Sequence, residues 1–178
     1  TQSRSSAASD VYKRQDLMRY IEAFSTEHEN WYYRKAYDIS LFLAGGISNC
    51  PNWQEEVCRR LDPIGSSFST SNLVVLNPRR KTFDSDKSAS KQQIEWEFHH
   101  LNATDTILFW FPCETLCPIT LFEYGKWLIS EKPLFVGCHP DYARKEDLLV
   151  QTRLERPDQK IHFDLPDLIA DIEDSFFF

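Results

Sequence analysis

Residues 103–130, ATDTILFWFPCETLCPITLFEYGKWLIS, predict a buried strand, a short loop and a helix in direct succession. The segment 106–111 is continuously apolar and aromatic, which is typical of a strand buried on both faces at the centre of a parallel sheet. From Pro118 onward the apolar residues have roughly helical spacing, and proline is favoured in a first helical turn. Open α/β sheets bind ligands outside the carboxyl ends of their strands, so we expect the loop FPCETLC at a ligand site.

Glu123 lies in the first turns of this predicted helix. The dipole and free N–H groups of a helix start favour an ionised carboxylate, by about 0.3–1 kcal/mol. An ionised carboxylate beside a pocket is a candidate nucleophile. The alternative, that Glu123 only favours the start of the helix, stays open.

The rest of the chain alternates between predicted strands and helices, which indicates a parallel sheet with helices on both faces. We predict an α/β, Rossmann-like or flavodoxin-like, doubly wound sheet of five parallel strands in the order 2-1-3-4-5. Its strands are 39–44, 73–76, 106–111, 133–136 and 161–163. The switch point then lies between the first and third strands, so the Ala44-Gly45-Gly46 loop and FPCETLC should flank one crevice.

The predicted domain covers residues 38–174. Residues 1–15 have no apolar period and are expected to be a disordered or non-native leader, followed by a helical extension over 16–37 that starts with an amphipathic helix at 16–24. A long helix is predicted over 88–103, with Ile94, Phe98 and Leu101 facing the core. Glu97 would lie at the edge of that apolar stripe, either paired with an arginine or facing a pocket.

Composition limits the possible partners. A net charge of −7 and a pI near 5.2 argue against a nucleic-acid polymer, and no apolar run approaches the length of a membrane span. The five cysteines are odd in number, as expected for reduced thiols of a cytoplasmic protein. Cys113 and Cys117 lack the usual zinc spacing and no GxGxxG motif is present, so we expect no metal or other cofactor.

Two further segments follow predicted strands and are candidates for ligand contact. The pair Gly45-Gly46 would allow a close approach of backbone to a ligand. Arg79 and Arg80 follow Asn77 directly, and arginine side chains bind phosphate or carboxylate through two parallel hydrogen bonds. A solvated basic loop is the alternative.

Four ordered motifs together resemble the nucleoside 2-deoxyribosyltransferase superfamily, and most closely its nucleoside 2-deoxyribosyltransferase-like branch. They are FLAGGI at 42–47, NPRR at 77–80, QIEWE at 93–97 and TDTILFWFPCETLCPITLFEYG at 104–125. The resemblance implies that Glu123, within Phe-Glu-Tyr-Gly, is the nucleophile and that Glu97 orients the sugar or the nucleophile. It also implies a structural role for Asp105, and it places Phe42 where the family often has tyrosine.

The chain departs from the family at Cys117, Ile119 and Leu121, where many members have small, acidic or glycine residues. We therefore expect Thr115 or Thr120 to meet the sugar hydroxyl, and Trp110 to stack on the base unless it is plain core. The predicted substrate-binding set is Phe42, Ala44, Gly45, Gly46, Asn77, Arg79, Arg80, Trp110, Thr115 and Thr120.

The function implied is a 2-deoxyribosyl transferase or N-glycoside hydrolase that forms a covalent glycosyl-enzyme. Its substrate would be a nucleoside or a nucleoside 5′-monophosphate, and the Arg79-Arg80 pair favours the phosphorylated form. The family also suggests a homo-oligomer. The alternative is a non-catalytic module that binds a nucleotide or an ADP-ribose-type ligand, and a flavin carrier is a weaker one.

Overall fold

The computed structural model describes residues 18–24, 39–65, 73–80 and 87–177. One parallel sheet runs through them in the order β1-β3-β2-β4-β5-β6. Its strands are β1 (Met18–Glu22), β2 (Ile39–Gly45), β3 (Leu73–Asn77), β4 (Thr106–Phe111), β5 (Leu134–Cys138) and β6 (Ile161–His162). The predicted α/β class is confirmed. The described sheet has six strands instead of the predicted five, because β1 adds to the edge at β3, and the five predicted strands keep their predicted relative order.

The prediction of a helix over 16–24 is wrong for the described part of that segment, because the strand β1 occupies Met18–Glu22. It pairs with β3 in the register Ile21↔Leu76, and Ile21 is fully buried. Pairing with an open sheet edge outweighs the weak helical spacing of a segment this short. The leader at 1–15 and the rest of the extension up to residue 37 lie outside the described residues. The domain bounds 38–174 stay a prediction.

Within the described ranges, five helices pack on the two faces of the sheet. They are α1 (Trp53–Gly65), α2 (Lys87–Ala103), α3 (Pro118–Leu128), α4 (Lys145–Glu155) and α5 (Leu165–Phe177). One core joins the sheet to α2, α3 and α4, and a second joins it to α1 and α5. This division follows from right-handed crossovers, because the chain moves from β2 towards one sheet edge and from β4 towards the other.

All six residues of β4 are buried, as the apolar run predicts. Phe109 and Phe111 belong to the core under α2, α3 and α4, whereas Leu108 and Trp110 belong to the core under α1 and α5. Asp105, just before β4, accepts the Ser40 N–H at 2.8 Å and the Ser40 hydroxyl at 2.5 Å. These bonds join the start of β4 to the start of β2.

The orientation predicted for α2 is wrong in part. Ile94 and Phe98 are 63% and 57% exposed, whereas Leu101 is buried as predicted. The helix instead buries Trp96, whose ring centroids lie 5.9 Å from that of Phe42 and 4.1 Å from that of His100. The larger indole has more surface to remove from water than either Ile94 or Phe98, so it takes the core side.

Gly137→Ala should destabilise the protein by about 1–3 kcal/mol, since overpacking a filled core forces side chains out of their preferred rotamers. A Cβ on Gly137 would lie 2.9 Å from the Trp110 ring and 3.0 Å from Leu168. Gly125→Ala is the matched control, because a Cβ there meets nothing within 4 Å. That change should stabilise α3 by roughly 0.5–1 kcal/mol. Urea unfolding of both variants tests this, and equal effects would contradict the packing argument.

Candidate active site

Two partly buried glutamates, Glu97 on α2 and Glu123 on α3, form the centre of the candidate site. Each is next to an aromatic residue that fixes its helix to the sheet. Trp96 packs on Phe42, and Tyr124 packs on Phe109 and Phe111 at centroid distances of 5.1 and 5.8 Å. Burying these aromatic rings therefore also holds the neighbouring carboxyl groups at the edge of the core.

The charge of one carboxyl group acts on the pKa of the other. Burial, together with the negative charge of Glu97, raises the pKa of Glu123 to about 8, against a smaller opposing effect of Lys126. Burial also raises the pKa of Glu97, while a hydrogen bond from Gln93 and the positive charge of Arg80 act in the opposite direction. Two like charges in one desolvated space disfavour each other's ionised form.

The expectation that the helix dipole keeps Glu123 ionised is wrong for the free protein. Helix α3 begins at Pro118, which places Glu123 in its second turn, and the dipole acts mainly within the first. The modest dipole effect is therefore smaller than the cost of desolvating a charged carboxylate.

Gln93 connects this pair to the end of β3. Its amide Nε2 donates to Glu97 Oε1 at 2.7 Å and to the carbonyl oxygen of Pro78 at 2.9 Å. Sequence reasoning missed this residue, although its position four residues before Glu97 places both side chains on one side of α2. Arg80 lies close by, with its guanidinium 5.1 Å from the centroid of the Phe24 ring.

Arg79 points to a different part of the structure. Its guanidinium donates to the carbonyl oxygens of Pro51 and Cys50 at 2.8 and 3.1 Å and to Gln54 Oε1 at 3.2 Å. These bonds tie the end of β3 to the segment between β2 and α1. Asn77 is buried, accepts the Arg79 N–H at 2.9 Å and donates to the Tyr20 hydroxyl. Anion binding by Arg79 stays a prediction, in competition with these bonds.

The two loops expected to flank one crevice are in direct contact. A Cβ on Gly46 would lie 2.8 Å from Pro112 and Thr115 and 3.0 Å from Cys117 Sγ. Cys117 has a φ of 47°, a left-handed conformation that is strained for a residue other than glycine. On Gly45, a Cβ would lie 2.4 Å from the Trp53 ring. Both glycines are thus needed for side-chain packing.

The remaining predicted contacts divide between the two faces of the sheet. Phe42 and Ala44 are buried in the same core as Trp96 and Tyr124, and Thr120 is buried on α3. Trp110 belongs to the opposite core, against Gly137 and Leu168. The structure therefore does not bring Trp110 together with Glu97 and Glu123, and the prediction that it stacks on a base is wrong for this arrangement.

A cavity of about 740 Å³ lies between β1, α1 and the end of β3. It brings the predicted residues Asn77, Arg79 and Arg80 together, and neither glutamate is among the described residues that line it. Arg80 thus belongs both to this cavity and to the surroundings of Glu97. The other described lining residues are Tyr20, Glu22, Asn52, Glu55, Cys58, Arg59 and Asp62.

Comparison with known proteins identifies the family to which the chain belongs. In the part of the chain that the structure describes, no helix is both long and apolar enough to cross a membrane. No curated protein matches the chain. The family model described as "Nucleoside 2-deoxyribosyltransferase like" matches residues 38–142, which include Glu97, Glu123 and both loops of the site. Because this match spans more than half of the 178 residues, the chain belongs to the nucleoside 2-deoxyribosyltransferase-like family.

Proposed function

We propose that the protein cleaves the N-glycosidic bond of a nucleoside or a nucleoside 5′-monophosphate, with Glu123 as the nucleophile. The observation that carries this proposal is the pair of partly buried carboxyl groups, Glu97 and Glu123, presented by neighbouring helices. Retaining glycosidases use two carboxyl groups in the same way, one to form a covalent glycosyl-enzyme and one to assist.

The reaction breaks the bond between the anomeric carbon and the base nitrogen, and the bonding electron pair leaves with the base. Positive charge develops at the anomeric carbon, and the Glu123 carboxylate stabilises it and then forms a carbon–oxygen bond. A second base or water breaks that bond in the next step, which distinguishes a transferase from a hydrolase. Because burial raises the pKa of Glu123 to about 8, the free protein holds a proton on the pair at neutral pH. The departing base nitrogen takes this proton, which leaves Glu123 as the carboxylate that forms the carbon–oxygen bond.

The other site residues have supporting roles in this proposal. Glu97 orients Glu123 or accepts a hydrogen bond from a sugar hydroxyl, and Thr115 or Thr120 meets the sugar. Arg80 supplies positive charge beside the pair, which supports a phosphorylated substrate. Arg79 contributes chiefly by holding the loop after β2.

A second candidate function is nucleotide binding without turnover. It is favoured by the raised pKa of Glu123, because a protonated carboxyl group is a poor nucleophile. Cys117, Ile119 and Leu121 stand where many family members have smaller or acidic residues. The substrate assay below separates this candidate from the first.

We further propose that the protein is a cytoplasmic homo-oligomer. All five cysteines are free thiols, as expected in a reducing compartment. Large apolar side chains are exposed on α2 and α3 close to the site, including Phe98 and Phe122, and each follows or precedes one of the two glutamates. Lys126 of α3 lies 4.9 Å from the centroid of the Phe98 ring of α2, so the two helices present these residues side by side. A second copy of the chain would remove them from water.

Glu123→Gln should make the folded protein more stable at neutral and basic pH. The folded protein holds its extra proton between the unfolded pKa of 4.5 and about 8, so wild-type stability falls as pH rises through that window. The stability gain of the variant should be small near pH 5 and reach about 1–3 kcal/mol near pH 8. Urea unfolding at several pH values measures this stability gain. Glu95→Gln, which makes the same change at an exposed position, is the control. A gain that does not depend on pH would contradict the assignment.

Base release tests the proposed reaction. Incubation with a panel of nucleosides and 5′-monophosphates should yield free base by chromatography, and Glu123→Gln should lower kcat/KM by at least about 10³-fold. Glu95→Gln should retain activity. A 2-fluoro sugar analogue should leave its mass on the peptide that contains Glu123. Thermal stabilisation by nucleotides without any base release would instead support the binding module.

The oligomeric state is measured by light scattering on the full chain. We expect an oligomer that Phe122→Ser dissociates into monomers, because the change removes apolar area from the contact. Leu154→Ser is the matched control, since Leu154 is similarly exposed on α4, away from the site. A monomeric wild type, or equal dissociation by both variants, would contradict the proposed contact.

A further inference from the structure

We propose that Gln93 is a positioning residue for the carboxyl pair: its amide holds Glu97 as the charged member, so that Glu123 carries the proton in the free protein. This inference rests on the proposed function, because it assigns a role within the same site. Neither the family match nor the reaction described above gives Gln93 any part.

The hydrogen bonds of Gln93 leave its amide only one orientation. Nε2 donates to two acceptors, the Pro78 carbonyl at 2.9 Å and Glu97 Oε1 at 2.7 Å. The opposite orientation would place the amide oxygen against both acceptors, with no hydrogen between them. Glu97 Oε1 must therefore accept the hydrogen bond from Gln93. An ionised carboxylate accepts such a bond more strongly than a protonated carboxyl group does.

The anchor of this arrangement is rigid. Gln93 is only 8% exposed, and Pro78 directly follows the buried strand β3. The proline ring restricts the backbone that carries the accepting carbonyl group. Gln93 thereby holds Glu97 at a fixed position relative to the sheet.

The charged groups that act on the two glutamates are unequal. Burial raises the pKa of Glu97, and the Gln93 amide from its own helix and the Arg80 guanidinium from the end of β3 oppose that rise. For Glu123 the favourable group is Lys126 from its own helix, and Glu97 opposes it. The negative charge is therefore better supported on Glu97, which leaves the proton on Glu123.

Removing the Gln93 amide should reverse part of this preference. Without its donor, Glu97 binds a proton more readily and no longer repels a negative charge on Glu123. Glu123 then ionises at lower pH. The variant Gln93→Met keeps a similar length and volume but has no N–H group, and Gln92→Met makes the same change at the exposed neighbouring position.

The experiment determines the midpoint of Glu123 ionisation in two ways. The first is the pH dependence of the stability difference between each protein and its Glu123→Gln counterpart, which needs no substrate. The second is the falling limb of kcat/KM with pH, because the departing base takes the proton of the pair and that proton is lost as Glu123 ionises. We expect Gln93→Met to lower both midpoints by about one pH unit, and Gln92→Met to leave them unchanged. In a Glu97→Gln background, Gln93→Met should have no effect on either midpoint.

The outcomes separate this inference from the proposed function. If no base is released but the stability midpoint falls, the placement of the proton by Gln93 stands and the reaction does not. If base is released and Gln93→Met leaves the midpoint in place or raises it, the inference about Gln93 is overturned. Should Gln93→Met fail to fold, Gln93→Asn takes its place, because the shorter amide cannot reach both acceptors.

Discussion

The burial of β4 on both faces is the constraint on which the site depends. Where β4 ends, Pro112 lies against Gly46 and the chain turns at Cys113 and Glu114. The turn is completed by the left-handed Cys117, after which α3 begins. Tyr124 then packs back onto Phe109 and Phe111, so the rings of β4 determine where Glu123 lies. The same strand thus supplies both the core and the position of the proposed nucleophile.

Placing two carboxyl groups at the edge of that core costs folding free energy, because each loses water and each repels the other. Gln93 and Arg80 offset this cost for Glu97, whereas Glu123 has less support. An arrangement that is unfavourable without ligand is well suited to a reaction that creates positive charge nearby. The developing charge would favour the ionised form of Glu123 that the free protein disfavours.

The sequence predicts the strand order because buried apolar runs and alternating helices leave few topologies. Other features depend on contacts that a single sequence does not specify. Helix α2 offers two apolar faces, one with Ile94 and Phe98 and one with Trp96, and the sequence does not show that Trp96 packs on Phe42. Because every residue of β4 after Thr106 is apolar, the sequence does not show on which face of the sheet Trp110 lies. The short β1 is a strand only because β3 has an open edge. The pKa of Glu123 depends on its burial and on Glu97, which is distant in sequence.

The adjacent residues Arg79 and Arg80 have different roles in the structure. The chain leaves β3 in an irregular conformation, so the two side chains diverge. Arg79 donates to the loop after β2, and these bonds hold the end of β3 to the start of α1. Arg80 lines the cavity beside β1, and its positive charge also opposes the rise that burial causes in the pKa of Glu97. The guanidinium of Arg80 therefore belongs both to the lining of the cavity and to the charged surroundings of Glu97.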